Sequence, residues 1–200
     1  MFITLDGIDG AGKSSQVSLL CGHLEAQGER VLRVRDPGGT PAGEAIRALL
    51  LDSDLNMDRR CEALLFLAAR SQLVESQIRP ALQAGTIVVS DRFLLANVVY
   101  QSIGSDLQPE ELWRVGEWAS GGLRPDLTLL LDMPADAAMA RLDRPKDRME
   151  SRGQEYLEAV RLAFLVQLPR AAHGTAIIQA DRPKEEIHQE ILAAVRQAKQ

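Results

Sequence analysis

Phe2-Ile3-Thr4-Leu5-Asp6, followed by Gly7-Ile8-Asp9-Gly10-Ala11-Gly12-Lys13-Ser14, decides how this chain is read. A short apolar strand runs into the spacing G-x-x-x-x-G-K-[ST]. Val17, Leu20, Cys21 and Leu24 then recur at helical spacing. Gly7 and Gly12 permit backbone angles and close approaches that a Cβ would obstruct. The loop amides can therefore turn inward as an anion nest, and the helix beginning near Lys13 adds unpaired N–H groups and the positive end of its dipole. Lys13 would reach the β- and γ-phosphates of a nucleotide, and Ser14 would place its hydroxyl on Mg²⁺. The donor-phosphate site is accordingly assigned to Gly7, Asp9, Gly10, Ala11, Gly12, Lys13, Ser14 and Ser15. A glycine-rich turn without a ligand is the alternative, and the strand before it and the helix after it weigh against that. The loop begins so near the start that no further domain is expected ahead of it.

Further along, Val31-Leu32-Arg33-Val34-Arg35, Thr86-Ile87-Val88-Val89-Ser90-Asp91, Thr128-Leu129-Leu130-Leu131-Asp132 and Thr175-Ala176-Ile177-Ile178-Gln179 read as four more strands. They are short apolar runs rather than alternating ones, as in a parallel sheet covered on both faces. Helices are expected between them, over about 42–51, 59–84, 94–101, 110–119, 135–142 and 154–168, with a last one after Pro183. Pro80 should bend the long one or split off its last turn. The fold class is α/β: five parallel strands flanked by helices, in one domain over 1–200.

Two hundred residues carry a net charge of −5, with 46% hydrophobic and 26% charged residues. That balance argues against a general nucleic-acid surface, so a polymer partner is not expected. No apolar run approaches eighteen residues, which excludes a spanning helix on length, and no secretory signal is read. Cys21 lies on the apolar stripe of the first helix and Cys61 stands apart from it, which points to a reducing, cytoplasmic compartment. His23, His173 and His188 lack metal-ligand spacing and read as helix-surface or loop residues.

Ligands of an open α/β sheet gather at the carboxyl ends of its strands. Asp9, Asp91-Arg92 and the stretch from Arg35 to Thr40 fall there. Asp91 could hold Mg²⁺ or orient an acceptor, or be a strand-end turn residue. Arg92 could grip an acceptor phosphate with its fork of donors. Asp132 also ends a strand but is followed by Met133-Pro134, and reads as an anchor. Phe66 and Arg70 share a helix face, one able to stack on a base and the other to donate to it; core packing fits Phe66 equally well. The cluster Arg141, Arg144, Lys146, Arg148 and Arg152 reads either as a solvated charged turn or as a lid over about 141–153 that brings arginines to a transferring phosphoryl group. The phosphate loop holds no arginine of its own, and Gly10, where one could sit, offers only hydrogen.

These blocks, with Arg35-Asp36-Pro37-Gly38-Gly39-Thr40, Leu65-Phe66-Leu67-Ala68-Ala69-Arg70, Asp91-Arg92-Phe93, Tyr100-Gln101 and Gly121-Gly122-Leu123-Arg124-Pro125-Asp126, resemble the thymidylate kinase family over almost the entire chain. The resemblance implies a P-loop nucleoside monophosphate kinase fold and ATP-dependent phosphorylation of dTMP to dTDP with Mg²⁺, commonly by a homodimer. It implies that Lys13, Asp9 and Asp91 belong to the catalytic set, with Arg144 and Arg148 as lid arginines, the choice among Arg141, Arg144 and Arg148 staying open. It further implies that Ser14 and Asp91 hold the metal, that Asp9 meets the sugar 3′-hydroxyl, and that Phe66 stacks on thymine. Arg70 would bond the base, Arg92 and Arg47 the acceptor phosphate. Tyr100 would lie against the deoxyribose, with Gln101 near thymine. Ala96 stands where the family often places a hydroxyl, and Asn97 could replace it. Asp36 also departs, standing where the family has glutamate. Another deoxynucleotide or deoxynucleoside kinase and a non-catalytic nucleotide-binding module are the other readings. The first would not require Arg92 to meet a phosphate if its acceptor were a nucleoside; the second would tolerate loss of the carboxylates and arginines that are present here.

Overall fold

The central strand β1 (Phe2–Asp6) lies between β3 (Ile87–Asp91) and β4 (Leu127–Asp132) in a computed structural model that describes residues 1–52, 55–141 and 153–199. With β2 (Val31–Arg35) and β5 (Gly174–Gln179) at the edges, the five strands run parallel in the order β2-β3-β1-β4-β5. The expected fold is therefore the observed one. β1, β3 and β4 are buried at every residue, as uninterrupted apolar runs require. β2 and β5, at the edges of the sheet, are only partly buried, and β5 alternates in exposure from one residue to the next. Leu5 pairs with Asp91, Arg35 with Asp91 and Asp6 with Leu130, so the carboxyl ends of β1, β2 and β3 come level at one edge of the sheet.

The helices are α1 (Lys13–Ala26), α2 (Pro41–Leu51), α3 (Arg59–Leu73), α4 (Arg79–Gln83), α5 (Leu94–Ser102), α6 (Pro109–Ala119), α7 (Ala135–Ala140), α8 (Gln154–Gln167) and α9 (Lys184–Ala198). Their starts are chemically marked. Thr40 Oγ1 accepts from the Gly43 amide at 2.9 Å ahead of Pro41, and Asp58 Oδ1 accepts from the Arg60 amide at 2.9 Å. The long run expected over 59–84 does change at Pro80, but by widening rather than ending. Val74–Ile78 form a π turn between α3 and α4, in which the Arg79 amide reaches back to the Val74 carbonyl. A proline ring would meet the carbonyl four residues back in a regular helix, and the wider turn relieves that clash.

Phe2, Leu5, Val17, Leu20, Val88, Leu129 and Ile191 are among the core side chains that join the sheet to the helices around it. Cys21 is buried in that core and Cys61 is exposed; both are free thiols. No helix among the described residues is long and apolar enough to cross a membrane.

Candidate active site

The loop between β1 and α1 is shaped by close backbone contacts. A Cβ on Gly7 would lie 2.4 Å from the Leu131 carbonyl oxygen, and one on Gly10 would lie 2.2 Å from that of Ala138. Both glycines also sit at positive φ, +139° and +86°. The absence of an arginine at Gly10 is therefore a packing requirement: α7 already fills the space where a side chain would start.

Lys13 folds back over the loop, its Nζ donating to the Ile8 carbonyl at 2.8 Å and to Asp9 Oδ1 at 3.4 Å. Burial, with the Arg92 charge beside it, lowers its pKa. Ser14 Oγ donates to Asp91 Oδ2 at 2.6 Å, so the hydroxyl of the phosphate loop meets the end of β3. Hydroxyl and carboxylate oxygens at this spot are hard ligands of the type Mg²⁺ prefers. The described residues hold no cluster of three or more His, Cys, Asp or Glu side chains for a metal.

Arg92 links the two halves of the site. Its Nη1 donates to the Gly7 carbonyl at 3.1 Å, and its Nη2 to Asp9 Oδ1 at 2.7 Å and to Tyr100 Oη at 3.3 Å. The guanidinium also lies 4.9 Å from the centre of the Tyr100 ring. Arg92 is the one residue other than glycine at positive φ among those described, at +69°. Such a conformation costs on the order of 1–3 kcal/mol and persists only where its surroundings hold it. Here the Arg92 amide donates to the Leu5 carbonyl at 3.0 Å and Ser90 Oγ donates to the Arg92 carbonyl at 2.6 Å. Burial alone would raise the Asp9 pKa, but the Arg92 and Lys13 charges outweigh it and hold the carboxyl well below the usual range.

α3 supplies Phe66 and Arg70 from one face. Arg70 is 1% exposed, yet it borders the cleft. Its Nε donates to Asp36 Oδ2 at 2.5 Å, Nη1 to Asn97 Oδ1 at 3.3 Å and Nη2 to the Phe93 carbonyl at 3.3 Å. The aspartate that departs from the expected glutamate is thus the partner of this arginine. Arg47, on α2, donates to the Pro37 carbonyl at 3.1 Å, and burial together with the Arg35 charge lowers its pKa.

These groups border one cleft of about 1000 Å³, the upper end of the range for small-molecule sites. It brings together Asp9, Gly10, Ala11, Gly12, Lys13, Ser14 and Ser15 at the loop end with Asp91 and Arg92 beside them. Arg47, Phe66, Arg70, Asn97, Tyr100 and Gln101 border the other end. Gly7 lies behind the lining, touching Arg92 through its carbonyl. Arg144 and Arg148, with most of the segment expected as a lid, lie outside the described residues; Arg141 is described, borders the cleft and donates to the Ala180 carbonyl at 2.9 Å. Asp132 is an anchor as expected, held by both Nε and Nη2 of Arg161 at 2.7 and 2.9 Å.

Arg35, from the stretch expected at the strand ends, borders the same cleft, and the sequence reading missed Gln16, Arg182, Lys184 and Ile187, which border it too. Gln16 Nε2 donates to the Lys184 carbonyl at 2.9 Å, tying α1 to the turn after β5. Applying the strand-end rule to β5 as well would have pointed to Arg182 and Lys184.

A thymidylate kinase family model matches residues 5–191. The thymidylate kinase of Rhodopirellula baltica is 54% identical over 191 residues, covering 96% of this chain and 78% of that protein. Those of Fervidobacterium nodosum and Thermosipho africanus are 44% and 41% identical, each pairing covering at least 96% of both chains. With the family model spanning residues 5–191 and relatives matched over nearly its whole length, this chain belongs to the thymidylate kinase family.

Proposed function

We propose that this cleft carries out the ATP-dependent phosphorylation of dTMP to dTDP, with ATP on the loop of Gly10 to Ser15 and dTMP between Phe66 and Arg92. The observation that carries the reading is the 2.7 Å contact between Arg92 Nη2 and Asp9 Oδ1. It sets the arginine suited to an acceptor phosphate against the donor loop, so that the two phosphates meet in one space. Alignment of that kind supplies much of the rate in phosphoryl transfer.

An oxygen of the dTMP phosphate attacks the γ-phosphorus, the bond from γ-phosphorus to the bridging oxygen of ADP breaks, and no phosphoenzyme forms. Lys13 exchanges its contacts with Ile8 and Asp9 for the β- and γ-phosphates. Arg92 and Arg47 hold the acceptor phosphate, and Asp9 meets the sugar 3′-hydroxyl while keeping Arg92 in place. Phe66 stacks on the base, Arg70, Asn97 and Gln101 border its polar edge, and Tyr100 closes over C2′, where a ribose hydroxyl would crowd it. Ser14 and Asp91 would hold Mg²⁺, which supplies neutralising charge on the β- and γ-phosphates when bound. Gln16, Arg182 and Lys184 form the end suited to the donor nucleoside. Arg144 and Arg148 are assigned to a lid over about 141–153 of a single domain, adding positive charge to the transition state.

The protein is further proposed to work as a homodimer in the cytoplasm. Leu64 on α3 and Trp118 on α6 are 53% and 82% exposed, and α3 packs beside α6, so a second copy would cover apolar surface there. Light scattering on the purified protein tests this: a mass of one chain at micromolar concentration would reject it.

The activity is tested by supplying ATP and Mg²⁺ with dTMP, dUMP, dCMP, dGMP, UMP or thymidine. dTMP should be the preferred acceptor. Turnover of thymidine with none of dTMP would make the protein a nucleoside kinase, and equal use of UMP and dTMP would remove the role given to Tyr100.

A further inference from the structure

The loop that carries Lys13 rests on two backbone carbonyls. The Leu131 carbonyl lies against Gly7 and the Ala138 carbonyl against Gly10, each too close to admit a Cβ. The first belongs to the end of β4 and the second to α7. Where the loop sits is therefore set by where β4 ends and by where α7 is held.

α7 has little of its own to hold it. It is six residues long, and its buried side chains are the methyl groups of Ala135 and Ala138. Such a helix is far below the length at which one is stable alone. Pro134 precedes it and brings no side-chain cap to the unpaired amides of the first turn. The cap comes from another helix. Glu158 Oε2, on α8, accepts from the Ala135 amide at 3.2 Å, and the helix dipole favours a carboxylate at that end.

Glu158 is aimed by a neighbour one turn along. Its Oε1 accepts from Arg161 Nη1 at 2.7 Å, which leaves Oε2 for α7. The same guanidinium grips both oxygens of Asp132, the residue after Leu131, at 2.7 and 2.9 Å. One arginine thus fixes the end of β4 behind Gly7 and, through Glu158, the helix behind Gly10. Neither Arg161 nor Glu158 borders the cleft.

We infer that Arg161 and Glu158 are positioning residues for the donor phosphates, holding in place the strand end and the helix on which the phosphate loop rests. Without Arg161, the carboxylates of Asp132 and Glu158 lose the cation they share, and α7 loses the group that aims its cap. A displaced α7 carries Gly10 with it, and so moves the amides and the Lys13 ammonium away from the β- and γ-phosphates. The acceptor end stands on α3, α5 and the turn after β3. Arg92 there keeps anchors of its own in the Leu5 carbonyl and Ser90 Oγ. The inference rests on the donor site proposed above.

The test measures kcat/KM for ATP, KM for dTMP and the melting temperature in the wild type and in E158Q, E158A, R161M and the double variant E158A/R161M. An amide has one oxygen, so E158Q cannot serve Arg161 and the Ala135 amide as the two carboxylate oxygens do, and its NH₂ group meets one of those donors. Both Glu158 variants should lower kcat/KM for ATP about tenfold, and R161M about 10²-fold, as a small misplacement of the reacting groups does. KM for dTMP should stay within about threefold of wild type in all of them. Because the two residues act along one chain of contacts, the double variant should lose no more than R161M alone. A loss shared equally by ATP and dTMP overturns the inference. So does a lowered melting temperature with kcat/KM for ATP unchanged, or losses that multiply in the double variant. The two Glu158 variants decide the matter if R161M does not fold. A wild type that uses no ATP overturns the donor site itself, and the inference with it.

Discussion

Arg92 Nη2 lies 2.7 Å from Asp9 Oδ1, a contact between the turn after β3 and the phosphate loop that follows β1. It joins residues 83 positions apart at the level where a donor and an acceptor phosphate would meet. The same Asp9 oxygen accepts from Lys13, so one carboxylate orders both cations.

Breaking that contact should therefore affect acceptor use first. D9N is expected to lower kcat/KM for dTMP by about 10²-fold, since removing one member of a close charge pair costs about 2–5 kcal/mol. R92K keeps the charge but loses the two-pronged geometry, and should raise the KM for dTMP more than the KM for ATP. Steady-state kinetics with each substrate varied in turn checks both. An R92K variant whose KM rises for ATP alone would move Arg92 to the donor side.

Asp6, wholly buried with neither oxygen bonded, gives a prediction about stability. Burial, opposed by the charges of Arg92 and Lys13, raises its pKa from 3.8 to about 6. The folded state then holds this proton more tightly than the unfolded chain. Stability falls as pH rises from about 4 to 6, and the full cost, about 3 kcal/mol at most, is present above that window. D6N stays neutral, so it should melt above wild type at about pH 8 and lose that advantage by about pH 4. Melting curves at the two pH values decide it; an advantage that is equal at both would show that the Asp6 charge is not what costs stability.

Gly10 meets the Ala138 carbonyl too closely to admit a side chain. G10A should lose about 1–3 kcal/mol of stability from overpacking and backbone strain, and should weaken ATP binding because the loop must shift from α7. Thermal denaturation with and without ATP measures both effects. A G10A variant as stable as wild type would mean that α7 can retreat.

Asp132 and Arg161 form a two-pronged pair away from the cleft lining. D132A leaves a guanidinium that is only 23% exposed without its main partner, and should cost about 2 kcal/mol with KM for dTMP unchanged. A large rise in that KM would instead bring the end of β4 into the acceptor site.

Much of this was legible before the fold was seen, and the reasons for the misses are physical. The five strands were readable because central parallel strands need unbroken apolar runs, as Val88-Val89 and Leu129-Leu130-Leu131 supply. The phosphate loop was readable because its glycines and Lys13 are adjacent in the chain. The widened turn at Val74–Ile78 was not, since Pro80 announces a disturbance without saying which way the helix yields. Nor was the role of Asp36: only the fold brings it to Arg70, which also donates to Asn97 Oδ1. The contact of Gln16 with the Lys184 carbonyl was not legible either, since 168 positions separate the two, although the end of β5 was itself a signal for Lys184.

The central claim is that one cleft built on Lys13 and the Asp9–Arg92 contact moves a phosphoryl group from ATP to dTMP. Its most direct test is chromatographic measurement of dTDP formed from dTMP, ATP and Mg²⁺ by the wild type and by the K13A variant. Formation of dTDP and ADP in equal amounts by the wild type, with a loss of about 10³-fold in K13A, is the predicted result. No dTDP above background from a folded wild type, or near-normal turnover in K13A, would contradict it.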